Sequence, residues 1–388
     1  MGSRPAWAEI DVAALRHNAA LLARIAAPAA LCAVVKADGY GHGAVAVARA
    51  ALEGGATSLA VATVEEGVAL RDGAITAPVL VLSEPTSGFD DAVAHDLTLT
   101  LYSSAGVRAA SEAAARAGRR VDVQVKVDTG MHRVGARRAA VLDVVAAVAG
   151  ESGLRFGALW THFPVADCAS AEDRVFTDTQ VAELRSVRDA LAGAGHPPPA
   201  LHAANSAGTV AYPAARFDMV RCGIALYGVV PFPGDPAPWA DVVAATGVGG
   251  LRPVLSWRAA VTHVTRLDDG ARPSYGRHRP LDGPSVIATV PLGYADGVPR
   301  RYFTGGGTVL VGGRRRPLAG MVTMDQIVVD CGTDDVAVGD EVVLIGRQGT
   351  ESLSASEWAE VLGTIAHEVF CGIGGRVPRL VTDGEEAS

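Results

Sequence analysis

Eight short apolar runs recur along the chain, at residues 31–35, 59–62, 79–82, 97–101, 121–127, 156–160, 200–203 and 219–226. Each is too short for a helix and long enough for a buried strand. The stretches between them, such as 104–117 and 136–149, are rich in Ala, Arg and Glu and carry apolar residues at helical spacing. A strand followed by a helix, eight times in about 230 residues, is the pattern of an α/β (β/α)8 barrel. An open doubly wound sheet has the same alternation. Its dinucleotide-binding version is disfavoured, because no GxGxxG opens the first unit.

The rhythm changes near residue 231. Pro231-Phe232-Pro233-Gly234-Asp235-Pro236-Ala237-Pro238 is a cluster of breakers, and a Gly-rich loop follows at 246–253. Beyond it, segments 256–267, 285–291, 308–311, 326–330 and 341–345 alternate apolar and polar residues with turn signals between them. They predict a mostly antiparallel β-domain. Ser354-Ala355-Ser356-Glu357 is a capping box that opens one helix, running to about Leu362. The expected division is a barrel over 1–240 and a β-domain over 241–388.

Composition narrows the function classes. The 388 residues are enough for two domains and a large core. With 49% hydrophobic and 20% charged residues, the chain has a globular composition. A net charge of −8 argues against a nucleic-acid partner. No apolar run reaches the ~18 residues of a membrane span. Met1-Gly2-Ser3-Arg4-Pro5 lacks the apolar core of a signal peptide. The cysteines (Cys32, Cys168, Cys222, Cys331 and Cys371) are scattered, odd in number and form no CxxC, so neither zinc nor a disulfide framework is expected. A reducing cytoplasm is the expected compartment.

Functional residues of a barrel gather at the C-terminal ends of its strands. Lys36 ends the first run, in Lys36-Ala37-Asp38-Gly39-Tyr40-Gly41-His42-Gly43. A bare ammonium there is costly to bury. It makes sense as a covalent handle for an aldehyde cofactor. The alternative is a lysine that snorkels out of a barrel mouth. The glycines let backbone N–H groups approach an anion at the next helix. Lys126, Asp128 and Arg133 follow the fifth run, and His162 ends the sixth. His202, Asn205 and Ser206 end the seventh, and Arg221 and Gly223 lie in the eighth. Each alone has a structural explanation, as a core histidine or an ion pair. Five polar clusters on one rim instead build a pocket with cationic and hydrogen-bonding walls.

These segments resemble the alanine racemases, pyridoxal-phosphate enzymes of fold type III. The resemblance is carried by residues 33–43, 126–135, 161–163, 202–206, 221–228, Ser274-Tyr275-Gly276, Pro291-Leu292-Gly293-Tyr294-Ala295-Asp296-Gly297, Met324-Asp325-Gln326 and Arg376-Val377-Pro378-Arg379. They occur in family order and spacing over nearly the whole length. The resemblance implies interconversion of L- and D-alanine, the supply of D-alanine for peptidoglycan precursors, and pyridoxal 5'-phosphate covalently held by Lys36. It also implies a head-to-tail homodimer in which each β-domain completes the partner's active site.

Residue by residue, Lys36 resembles the base for the D-substrate proton, and Tyr275 the base on the opposite face, reaching across the dimer. Two bases are the simplest route to inversion, since a proton leaves one face and returns to the other. His162 resembles the histidine linked to that tyrosine. Arg221 resembles the arginine facing the pyridine nitrogen; because Arg keeps its proton, that nitrogen stays unprotonated. Arg133 resembles the residue that steadies the substrate carboxylate and the cofactor phenolic oxygen. Lys126 resembles a neighbouring lysine that many relatives carry as a carbamate. Tyr40, Ser206, Gly223 and Ile224 resemble the phosphate cradle, beside Asn205. Met324 resembles a binder of the substrate carboxylate, with Asp325 beside it, and Tyr294 part of the entry corridor.

Three positions depart from the family. Gly375 stands where some relatives close the phosphate site and substrate gate with a tyrosine. His367 stands where relatives often carry a tyrosine, and Thr323 where Cys or Ser is frequent. These departures bear on substrate width. Other readings are a racemase of another small amino acid such as serine, and a non-catalytic pyridoxal-phosphate-binding barrel, which would have no use for Tyr275. An amino-acid decarboxylase of the same fold type would set a carboxylate against the pyridine nitrogen, where this chain has Arg221.

Overall fold

In the computed structural model the chain opens on a strand, β1 (Ala6–Asp11), and then winds eight parallel strands into a closed barrel. These are β2 (Ala30–Val34), β3 (Ser58–Val61), β4 (Val79–Val81), β5 (Thr98–Leu101), β6 (Val121–Lys126), β7 (Leu154–Trp160), β8 (Leu201–His202) and β9 (Met219–Cys222). The structure describes residues 4–168, 170–235, 237–247 and 249–384. Met1, Gly2, Ser3, Pro236 of the breaker cluster, Val248 of the Gly-rich loop and the acidic tail from 385 lie outside the described residues.

Every apolar run becomes a barrel strand, because a parallel strand is covered on both faces and reads as a nearly unbroken apolar stretch. Helices such as Val64–Asp72, Ser104–Ala117 and Ala171–Gly193 connect them. Their ends are written locally. Thr63 and Glu66 form a reciprocal capping box. The Ser103 hydroxyl accepts from Gly106 N at 2.9 Å, and Gly118 closes the same helix in the left-handed region. The last run stops at Cys222, earlier than expected. Gly223 turns out of the strand (φ −114°, ψ −91°) into a 3-10 turn, Ile224–Tyr227.

The first barrel strand ends in an unusual turn. Ala37, Asp38, Gly39, Tyr40 and Gly41 all have φ between 51° and 77°. This is one turn of left-handed helix, which costs roughly 1–2 kcal/mol for each non-glycine residue. Local bonds offset part of that. Gly39 N donates to Val35 O at 2.9 Å, Ala37 N to Glu66 Oε1 at 2.7 Å and Ala44 N to Asp38 Oδ1 at 2.8 Å. The last of these corrects an expectation. The glycines predict N–H groups open to an external anion at the following helix, Ala44–Glu53, but the Asp38 carboxylate accepts from its first N–H.

The β-unit adds β10 (Leu255–Ala260), β11 (His263–Leu267), β12 (Ser285–Val290), β13 (Thr308–Val311), β14 (Arg314–Pro317), β15 (Ile327–Asp330), β16 (Glu341–Gln348), β17 (Glu351–Leu353) and β18 (Arg379–Thr382). One sheet has the order β14-β13-β16-β10-β1-β18, with β17 paired to β16, and a second has the order β11-β12-β15. Trp257, Trp358 and Tyr302 fill its core, Tyr302 stacking on Trp358 at 3.8 Å between centroids. Trp358 Nε1 donates to Leu344 O and the Tyr302 hydroxyl to Thr308 O, both at 2.7 Å, so the buried aromatics leave these polar atoms satisfied.

Two compact units result. One holds residues 15–39 and 44–252; the other holds the described residues up to 14, 40–43 and from 253 onward. The expected division near 240 differs from this at both ends. Strand β1 pairs antiparallel with β10 and parallel with β18, so the first strand belongs to the β-unit. Helix Ala237–Thr246, unforeseen behind its prolines, belongs to the barrel unit. Segment 256–267 is two strands, because Val261 N donates to Asp340 O and Thr262 N to Thr289 O in different sheets. No helix among the described residues is long and apolar enough to cross a membrane, and none of their His, Cys, Asp and Glu groups forms a metal-binding cluster.

Candidate active site

Of the chain's 34 Lys and Arg residues, only Lys36 and Lys126 are lysines. Lys36 follows β2 and Lys126 ends β6. The field of Lys36 reaches both Lys126 and His162. Arginine does not release its proton, so amine chemistry in this chain is confined to these two side chains and the N-terminus.

Arg221 anchors the centre. It is 3% exposed and lies 4.6 Å over the Trp160 ring. Its Nη1 donates to His202 Nδ1 at 2.7 Å. Its Nη2 donates to Thr161 O at 2.8 Å and Ala203 O at 2.9 Å, and reaches His162 Nδ1 at 3.2 Å. Its Nε has no acceptor among the described residues, so one donor of a buried guanidinium is left open. Burial lowers its pKa to about 10, still charged at neutral pH. No carboxylate pairs with it among the described residues. The nearby thiols are no substitute, since burial pushes Cys32 up to about 11 and Cys222 to about 12.

The two histidines stay neutral. Burial and then the Arg221 charge hold both well below the usual imidazole range. Each Nδ1 accepts from Arg221, so each Nε2 carries the proton. In His202 that proton goes to Gln124 Oε1 at 2.9 Å. In His162 it has no acceptor among the described residues and remains available as a donor. Lys126 lies 4.5 Å over the same Trp160 ring. Burial, reinforced by Arg221 and Arg133, lowers its pKa to about 7. Burial, more than the neighbouring charges, thus brings one of the site's own lysines to the edge of losing its proton. Arg133 itself is exposed, on the loop that follows Lys126.

An anion cradle sits beside this cluster. Ser206 Oγ accepts from Gly223 N at 3.0 Å and Ala225 N at 3.4 Å, so its own proton is left to donate. Ile224 opens a 3-10 turn, and its N–H has no partner within that turn. Asn205 caps helix Ser206–Ala211 through Gly208 N and donates to Phe163 O, so it shapes the cradle rather than lining it.

The remaining candidates lie in the β-unit. Tyr275, Met324 and Tyr294 are 70%, 53% and 42% exposed. Ser274 Oγ donates to Met321 O at 2.6 Å, tying the Tyr275 turn to the segment that leads to Met324. Tyr294 N donates to Thr323 O and Ala295 N to Met324 O, both at 3.0 Å. Arg376 bridges Asp325, at 2.9 Å, and the fully buried Asp296, at 3.3 Å. Tyr40 is buried, with its ring 5.7 Å from His367. Sequence reasoning missed Gln124, Trp160 and Arg376. Gln124 had a legible signal, since it shares a strand face with Lys126 two residues on.

The donor set suits a phosphorylated aldehyde. It offers an amine at a strand end, a cradle of one hydroxyl and backbone N–H groups, and an open Arg221 Nε without a counter-charge. Residues 10–231 match the alanine racemase N-terminal domain and residues 254–381 the alanine racemase C-terminal domain. The alanine racemase of Symbiobacterium thermophilum is 44% identical over 98% of this chain and 97% of its own length. Two crystal structures are closely similar. Alanine racemase from the D-cycloserine producer Streptomyces lavendulae has a TM-score of 0.91 at 37% identity, covering 100% of this chain and 99% of its own. The enzyme of Streptomyces coelicolor A3(2) has a TM-score of 0.90 at 39% identity, covering 98% of each chain. The chain belongs to the alanine racemase family.

Proposed function

We propose that this chain interconverts L-alanine and D-alanine as a homodimer, using pyridoxal 5'-phosphate and one base on each face of the substrate. The observation that carries the reading is the buried Arg221, with Nε open and no carboxylate partner among the described residues, in the cationic cluster that includes Lys36. When bound, the pyridoxal ring withdraws electrons from the substrate α-carbon and acidifies its α-proton.

The protein's part is then positional and acid–base. Lys36 would hold the cofactor through its amine, and that amine is the base at the substrate α-carbon on one face. Ser206 Oγ, the N–H groups of Gly223 and Ile224, and Tyr40 hold the phosphate. Arg221 offers Nε to the ring nitrogen and keeps its own proton. A ring nitrogen facing Arg221 would stay unprotonated, so a bound cofactor would supply a milder electron sink there. The partner subunit's Tyr275 serves the opposite face, and His162 Nε2–H is the donor that would stabilise its phenolate. Arg133 and the Met324 backbone orient the substrate carboxylate, beside Asp325 and Tyr294.

The test is to reduce the yellow holoenzyme with borohydride, map the labelled peptide, and assay both directions with alanine. The reading expects racemisation and a label on Lys36. A label on Lys126, the only other lysine, would overturn the assignment. A protein that binds the cofactor but exchanges no α-proton would favour a carrier role.

A further inference from the structure

We propose that Arg379 is a positioning residue for the cofactor site: it holds the left-handed turn that follows Lys36 in the shape the phosphate cradle needs. The inference rests on the functional reading above and extends it to a residue outside the proposed donor set, one whose guanidinium donates to backbone carbonyls.

The turn is strained and carries both ends of the site. Lys36 precedes it, and Tyr40 lies within it at φ 53°. A strained backbone persists only where its surroundings over-determine it. Arg379 supplies that. Its Nε donates to Gly41 O at 2.9 Å, Nη1 to Gly374 O at 2.7 Å and Val377 O at 2.6 Å, and Nη2 to Ile373 O at 2.6 Å. One guanidinium thus binds the carbonyl of Gly41 to three carbonyls of a single loop. The rigid planar fork is suited to this, whereas an ammonium on a flexible stem is not. The contact is close. A Cβ at Gly41 would come within 2.7 Å of Phe370 O, and the His42 ring packs edge-on against Phe370 at 4.8 Å. Arg379 also starts β18, where Ala8 N donates to Pro378 O at 2.9 Å, so the clamp is fixed to the sheet.

The consequence is specific. Without the clamp the turn relaxes toward right-handed or extended backbone, and the Tyr40 phenol leaves its place while the rest of the β-unit stays folded. The experiment compares wild type with Arg379→Met and Arg379→Lys as full-length dimers. It reads amide hydrogen exchange at Gly39 and Ala44 in cofactor-free protein, and the dissociation constant for pyridoxal 5'-phosphate on reconstitution. We expect both amides to exchange at least ~10-fold faster in Arg379→Met, and the cofactor to bind at least ~10-fold more weakly, with Arg379→Lys between. Adding Ala37→Gly, which removes one side chain from the left-handed region, should recover part of the affinity in either Arg379 variant and leave wild type nearly unchanged. A general loss of stability would not be rescued at that position. If Arg379→Met fails to fold, Arg379→Lys with and without Ala37→Gly decides the same question. Unchanged exchange and affinity, or a loss that Ala37→Gly does not touch, would overturn the proposal. Failure of wild type to bind the cofactor would instead sink the functional reading, and the exchange comparison would still decide the clamp.

Discussion

Lys126 shows how burial sets the chemistry of a single residue. Its amine falls from 10.5 to about 7, chiefly by desolvation, so near neutral pH a large share is unprotonated. An unprotonated amine is the form that adds carbon dioxide, releasing a proton and leaving a carbamate anion. The shift also has a signed effect on stability. Between about pH 7 and 10.5 the unfolded chain holds the Lys126 proton and the folded chain does not. Stability from this group therefore rises with pH across that window and is lowest below it. Urea unfolding of degassed, cofactor-free protein should show that rise in wild type. Lys126→Met should lack that increment, and parallel curves would contradict the assignment.

At the same scale, Tyr275→Phe removes only a phenolic oxygen from a side chain that is mostly exposed in the protomer. We expect cofactor binding to survive and exchange of the L-alanine α-proton to fall by at least ~10²-fold, the usual contribution of one acid–base group. Gly375 bears on substrate width. Apart from its chain neighbours, nothing among the described residues of the protomer lies within 4 Å of where its Cβ would stand, so the first carbon of a side chain meets open space. Gly375→Tyr should lower kcat/KM for 2-aminobutyrate relative to alanine by about 10-fold, the value of one or two methylenes in a pocket. An unchanged ratio with alanine turnover intact would make Gly375 a neutral loop residue.

The cradle is the element whose energetics are easiest to test. Ser206 Oγ satisfies the N–H of Gly223 in a buried setting, so Ser206→Ala leaves that donor orphaned. The cost is about 1–3 kcal/mol. Denaturant unfolding of the cofactor-free protein should show it, and cofactor affinity should fall as well. Most barrel strands were legible in the sequence because both their faces are largely buried, β6 and β7 being the partly open exceptions. Strand β1 was not, since Ala6–Asp11 gains its partners only from β10 and β18, far along the chain. The Lys36 segment was legible as a site, but its left-handed turn was not. Gly39, Gly41 and, more weakly, Asp38 tolerate positive φ, yet Ala37 and Tyr40 carry no local preference for it. That conformation is imposed by distant groups, as with the Arg379 clamp. Likewise the Trp160 ring, which lies under both Lys126 and Arg221, is a platform visible only in three dimensions.

For the whole molecule, the account requires that two chains share each site. Tyr275, Met324 and Tyr294 expose large side chains that a partner's barrel would cover. A two-fold dimer with a large interface is expected, since a closed isologous pair completes both sites at once. Subunit mixing tests this, with Lys36→Ala protein combined with Tyr275→Phe protein under conditions of demonstrated exchange. Each parent dimer carries a lesion in both sites. In the mixed dimer one site receives both lesions and the other none. Random exchange makes about half of the dimers mixed, each with one intact site, so racemisation should recover to about one quarter of the wild-type rate. Activity that stays at the level of the two parents after exchange would contradict both the shared site and the pairing of Lys36 with the partner subunit's Tyr275.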